Sequence, residues 1–205
     1  INLIRGSDIM NPIHHGKLTS LRTLLGEAEK HGYAVGSFSP RSTSLIRPIL
    51  QAGEELKSPL IVQISSREFA RYQITPKEFA QRFFEVYQEE AVTVPVALHL
   101  DHTENLDTIG AAIDAGFNSV MIDASGLPFI KNAALTKQVV EYAHSRGVCV
   151  EAELGRIGTT DFVETDSDEE LFTVPEEAGI FVDETAVDAL AVSVGTAPGV
   201  YAVRK

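Results

Sequence analysis

A single cysteine, Cys149, excludes an internal disulfide framework and any cysteine-rich metal centre. Basic residues are scarce. Lys and Arg total 17 against 29 Asp and Glu, a formal net charge of −12. Such a chain gains nothing from counterion release on a polyphosphate strand, which argues against DNA or RNA as a partner. No apolar run approaches the roughly 20 residues that span a bilayer, so no membrane partner is expected. The opening INLIRGSDIMNPIHHGKL holds no apolar segment of the signal-peptide kind. With the lone cysteine, this predicts a cytoplasmic protein. A G-x-G-x-x-G dinucleotide fingerprint is also missing, because the first apolar run is followed by GSFSPRS rather than glycines.

What remains is enough for a folded core, at 44 % apolar and 22 % charged residues. Acidic charge is concentrated in residues 161–184, with ten acids and no Lys or Arg, leaving 19 acids against 17 bases elsewhere. Such a run reads as a solvated surface. His14 and His15 lie in a similarly polar stretch.

Short Val-, Ile- and Leu-rich runs recur at Ala34–Phe38, Pro59–Ile64, Val94–Leu100, Ser119–Asp123, Val148–Leu154 and Ala189–Val194. They lack strict polar alternation, as parallel strands covered on both faces do. Between them run segments of helical spacing, such as Leu18, Leu21, Leu24 and Leu25, or Phe79, Phe83 and Phe84. Thr75-Pro76 and Thr173-Val174-Pro175-Glu176 signal helix starts. Gly32, Gly116 and Gly147 signal helix stops. The alternation predicts an α/β fold with a parallel sheet and right-handed crossovers. Two architectures fit it, an open doubly wound sheet and a (β/α)8 TIM barrel. Six countable strands are two short of the eight in a closed barrel. The barrel reading therefore assigns residues 1–205 to one partial domain of about six β/α units.

In either architecture, functional groups gather at the C-terminal ends of the strands. Three clusters fall there: His99-Leu100-Asp101-His102, Met121-Ile122-Asp123-Ala124-Ser125-Gly126, and Glu151-Ala152-Glu153-Leu154-Gly155. The two-residue period of a strand puts His99 with Asp101, and Glu151 with Glu153. Carboxylates among Val and Leu are costly unless they meet a cation or a donor. A divalent metal on His102, with Glu153 or Asp123, meets that cost. A metal-free set of interior hydrogen-bonding groups meets it equally well. Cys149 between two valines reads as a small core residue. Asp188 reads as a buried hydrogen-bonding acid, and His31 and His144 suit helix C-termini. No lysine stands at a strand's C-terminal end, which disfavours Schiff-base chemistry.

The segments HLDH, SVMIDAS, VEAELG and LAVSVGTA-x-GVY stand in an order and spacing that resemble the zinc-dependent class II ketose-bisphosphate aldolases. The resemblance runs from about Leu21 to the end of the chain. It implies a (β/α)8 barrel and reversible aldol cleavage of a fructose or tagatose 1,6-bisphosphate to dihydroxyacetone phosphate and glyceraldehyde 3-phosphate. By the same resemblance, Asp101 matches the catalytic aspartate and His102 a zinc-ligand histidine. Asp123 and Glu153 match carboxylates that hold the metal in an alternative position. Ser65 matches a substrate-side serine, and Gly195 and Thr196 begin the region that binds phosphate and a monovalent cation. Asp161 is the nearest candidate for an acid on the family's mobile loop. The implied partners are a phosphorylated sugar and further copies of the chain, as a dimer or tetramer, or another aldolase-type chain.

The chain also departs from the family pattern. Pro198 stands where a second zinc-ligand histidine is expected, Gly126 replaces another histidine, and the segment holding Asp161 is one residue short. The stretch SSREFARY after the second strand departs from a glycine-rich pattern. These departures motivate an alternative, a catalytically degenerate aldolase-like protein acting as a binding or assembly subunit.

Overall fold

The computed structural model describes residues 18–155 and 172–194. Its elements are α1 (Leu21–His31), β1 (Gly36–Phe38), α2 (Ile46–Leu56), β2 (Leu60–Ser65), α3 (Ser66–Tyr72), α4 (Pro76–Glu89) and β3 (Val96–Thr103). These are followed by α5 (Leu106–Ala115), β4 (Ser119–Ile122), α6 (Phe129–His144), β5 (Cys149–Leu154), α7 (Pro175–Thr185) and β6 (Ala189–Val192). Each strand pairs in parallel with the next, in the order β1-β2-β3-β4-β5-β6. A doubly wound sheet reverses its strand order at a switch point. This order never reverses, so the described strands form a curled, singly wound sheet of the (β/α)8 barrel type.

Local chemistry explains where the helices begin and end. The Ser20 hydroxyl accepts from the Thr23 N–H, and Gly32 at φ +68° stops α1 in the left-handed conformation that glycine adopts most readily. Thr75 and Glu78 form a reciprocal capping box ahead of Pro76, as the Thr-Pro signal predicts. Helix α7 starts at Pro175 as expected, but Thr173 does not cap it. Its hydroxyl instead donates to the Leu154 carbonyl and accepts from the Ser193 N–H at 2.8 Å, joining the ends of β5 and β6. The stretch SSREFARY, singled out as a departure from a glycine-rich pattern, holds the short helix α3. Ser65 and Glu68 cap it reciprocally, and Arg, Glu, Phe and Ala then sustain it.

The strand period divides the core into two layers. Even-numbered residues Leu60, Val62, Ile64, Val96, Leu98, Leu100, Val120, Ile122, Val150 and Ala152 face the helices. There they meet Ile46, Leu50, Phe79, Phe83, Phe117 and Phe181. Each large side chain fully buried here contributes roughly 1.5–3 kcal/mol. Phe79 stacks on Phe117 at 6.1 Å, and Phe129 meets Phe181 edge-on at 5.8 Å.

Odd-numbered residues face inward. At the N-terminal ends of the strands, Ile61, Ala97 and Cys149 are closed over by Leu21 and Leu24 of α1. Cys149 is thus a core residue, as its valine neighbours predict. The Thr19 N–H donates to the Val96 carbonyl at 2.8 Å, and the Asn118 side chain holds both the Thr19 carbonyl and the Leu98 N–H at 2.8 Å. The Asp188 side chain is buried beside them. It accepts from the Val150 N–H at 2.7 Å, contacts His144 Nε2 at 2.7 Å, and pairs with Arg22 of α1. One carboxylate thereby ties α1, α6 and β5 at the closed end, leaving the opposite end as the open mouth.

Candidate functional site

The inner face turns polar toward the mouth. Gln63 lies opposite His99, and Ser65 opposite Asp101. The Gln63 amide donates to Asp101 Oδ2 at 3.0 Å while its carbonyl accepts from the Ser37 hydroxyl. Both ends of the amide are used, which fixes the Asp101 carboxylate. Deeper still, His99 Nδ1 meets the Ser119 hydroxyl at 2.8 Å, and Nε2 lies 3.4 Å from Glu151 Oε2. Burial drives the His99 pKa down to about 3 and that of Glu151 up to about 7. His99 is therefore neutral, and its 3.4 Å approach to Glu151 is not an ion pair.

Strict alternation sends His102 to the face opposite Asp101, into the helix layer. The structure departs from alternation there. Leu100 pairs with Val120 and Thr103 with Ile122, so two residues of β3 oppose one of β4. This β-bulge passes over Asp101 and His102, and His102 adopts φ +27°. A non-glycine residue in that region costs on the order of 1–3 kcal/mol. In return, the imidazole turns into the mouth.

There His102 Nδ1 lies 3.1 Å from Asp123 Oδ2 and 3.7 Å from Glu153 Oε2, and Nε2 lies 3.9 Å from Asp101. Asp123 follows β4 directly. Its N–H donates to the Thr103 carbonyl at 2.9 Å, and its other carboxylate oxygen accepts from the Ser125 hydroxyl at 2.7 Å. Glu153 is buried on β5, and Asn132 of α6 donates to its carbonyl at 2.9 Å.

The hydrogen bond to Asp123, helped by the Asp101 and Glu153 charges, raises the His102 pKa to about 9. The same bond lowers Asp123 to about 2. Asp101 is raised, chiefly by burial. A protonated imidazole thus offsets three carboxylates converging on one spot.

The ligand atoms of His102, Asp123 and Glu153 all lie within 4.8 Å of one another. One imidazole nitrogen and two carboxylates, one of them buried, form a donor set that suits a divalent cation such as zinc. These residues fit the metal.

Four of the site residues expected from the sequence are thus gathered at one point: Asp101, His102, Asp123 and Glu153. Ser65 stands at the rim beside Asp101, with its hydroxyl engaged in capping α3. Asp161, Gly195, Thr196 and Pro198 lie outside the described residues. Gln63 and Ser66 carry no motif signal. The only hint in the sequence is that Gln63 falls on the Ser65 face of an otherwise apolar run.

A sequentially ordered parallel β/α sheet, with imidazole and carboxylates converging at the C-terminal strand ends, defines a protein of (β/α)8-barrel architecture with a candidate metal centre at its mouth. The sequence pattern described as fructose-bisphosphate aldolase class-II matches residues 19–205, and the chain belongs to that family. It is 45 % identical over 185 residues to a fructose-bisphosphate aldolase of Giardia intestinalis, covering 90 % of this chain and 55 % of the relative. It is 41 % identical over 181 residues to a sulfofructosephosphate aldolase of Alkalicoccus urumqiensis, covering 88 % of this chain and 62 % of the relative. The crystal structure of the YdjI aldolase from Escherichia coli K12 superposes with a TM-score of 0.76 at 31 % identity, covering 88 % of this chain and 64 % of that one. The chain therefore spans between about half and two thirds of the length of these relatives. No helix among the described residues is long and apolar enough to cross a membrane.

Proposed function

We propose that this chain carries the metal-binding half of a class II aldolase site. The reaction is reversible cleavage of a ketose 1,6-bisphosphate, fructose or tagatose, to dihydroxyacetone phosphate and glyceraldehyde 3-phosphate. The observation that carries this reading is the convergence of Asp101 on the cluster of His102, Asp123 and Glu153. His102, with Asp123 and Glu153, would hold the metal. Bound there, zinc supplies an electrophile that polarises the substrate carbonyl.

Asp101 takes the proton of the hydroxyl at the bond being cleaved and returns it in the reverse direction. Gln63 keeps the Asp101 carboxylate aimed into the mouth. Ser65 contributes to the substrate side, with Gly195 and Thr196 binding phosphate beside a monovalent cation and Asp161 as the loop acid. The aldolase names of the relatives support this reading over a binding or assembly subunit.

The continuous helix-facing core supports treating residues 1–205 as one partial barrel domain. A cytoplasmic dimer or tetramer, or a pairing with another aldolase-type chain, completes the proposal.

The test begins with the intact mass of the purified protein against 22.3 kDa. An aldol-cleavage assay on fructose and tagatose 1,6-bisphosphates follows, with and without exhaustive chelation. Cleavage that chelation abolishes and zinc restores is expected. Cleavage untouched by chelation, or none in the longest native product with zinc present, overturns the reading.

A further inference from the structure

The residue that brings the metal cluster together is also the one most in need of outside support. His102 sits in a β-bulge at φ +27°, a conformation that its own strand does not favour. From that conformation its imidazole reaches Asp123 and Glu153, whereas regular alternation directs it outward. Something beyond β3 must hold the bulge in place.

The side chain placed to do this is Ser66, the first residue of α3. Its hydroxyl donates to the His102 carbonyl at 2.9 Å. Helix α3 is in turn fixed by the Ser65–Glu68 capping box and by Phe69, which is buried in the helix-facing core against Phe79 at 6.4 Å. A buried aromatic thus anchors the helix whose first turn clamps the strained carbonyl. The polypeptide on either side of that carbonyl carries the Asp101 carboxylate and the Thr103 carbonyl that receives the Asp123 N–H. Holding this one carbonyl fixes the direction of the imidazole relative to both carboxylates.

We propose that Ser66 is a positioning residue for the metal centre, acting through the His102 carbonyl rather than by touching the metal. This inference rests on the reading of His102, Asp123 and Glu153 as metal-holding residues.

The test compares the wild-type chain with Ser66→Ala and Ser66→Thr, using cobalt(II) as the probe. Affinity is measured by competition with a chromophoric chelator, and the His102 ring by long-range proton–nitrogen spectra of the metal-free protein. Ser66→Ala is expected to weaken cobalt binding about 10-fold, as loss of an outer support to a ligand does. It is also expected to shift the His102 ring signals. Ser66→Thr, which keeps the hydroxyl, restores both.

Unchanged ring signals in Ser66→Ala overturn the proposal. So does an affinity loss that Ser66→Thr fails to rescue, since that assigns Ser66 to general folding. If the wild-type chain takes up no cobalt, the metal reading fails. The ring signals of the metal-free variants then still decide whether Ser66 holds His102.

Discussion

At the scale of single residues, the proposed function separates metal holding from proton handling. Asp101 lies 3.9 Å from His102 but outside the group formed by His102, Asp123 and Glu153. Asp101→Asn is therefore expected to leave metal uptake near wild type while slowing aldol cleavage by roughly 10²–10⁴-fold, the usual contribution of a positioned proton acceptor. Metal analysis and kcat on the same preparation check both halves. His102→Ala is expected to do the reverse in order, losing the metal first and activity as a consequence. A second residue-scale prediction concerns the closed end. The buried Asp188 carboxylate accepts the Val150 N–H, with His144 and Arg22 as further partners. Asp188→Ala leaves that N–H without its acceptor and is expected to lower stability by about 2 kcal/mol in denaturant titration. The sequence placed Asp188 correctly as a buried acid. It gave only a faint hint of Gln63 and no sign of Ser66, because their value lies in partners 38 and 36 residues away.

At the scale of elements, two junctions are open to test. Glu54 near the end of α2 accepts from the Thr93 N–H at 2.8 Å and the Val94 N–H at 3.2 Å, and it pairs with Lys57. These donors lower its pKa from 4.5 to about 2, with the Lys57 contact contributing most. A carboxylate depressed in the folded state stabilises above its unfolded pKa and loses that contribution as pH falls through the folded one. Stability is therefore expected to decline between about pH 4.5 and 2 through Glu54, and Glu54→Gln is expected to flatten that part of the profile. The difference is read by thermal melts at stepped pH. Between α5 and β4, Gly116 stands at φ +104°, and a Cβ there would come within 2.9 Å of the Phe84 ring. Gly116→Ala is expected to destabilise by about 1–3 kcal/mol through backbone strain and overpacking. Helix boundaries of this kind were legible because caps and glycines act within three or four residues. Helix α3 was not singled out, although Ser65 and Glu68 form its capping box within the same three-residue reach.

At the scale of the whole molecule, the strand period sorts the core into an apolar outer layer and an inner layer that changes character along its length. The closed end is apolar and plugged by α1, and the mouth is polar. If α1 is that plug, Leu24→Ala is expected to cost about 3 kcal/mol. It is also expected to expose Cys149, which is otherwise buried against Leu21 and Leu24. The rate of thiol labelling under native conditions, faster in the variant than in the wild type, checks this.

The sequence by itself determined the α/β alternation and singled out Asp101, His102, Asp123 and Glu153 as candidate site residues. Hydrophobic period, caps and strand-end motifs are local signals that need no partner to be read. Hydrophobic periodicity alone left an open sheet and a barrel-type one both possible. The strand order of the tertiary structure bears out the barrel that the family resemblance implied, since strand order is a property of pairing and not of any single run. The tertiary structure also decided that His102 faces the mouth. That outcome depends on a bulge between two strands and on a hydroxyl from a third element, and neither can be seen along a single stretch of chain.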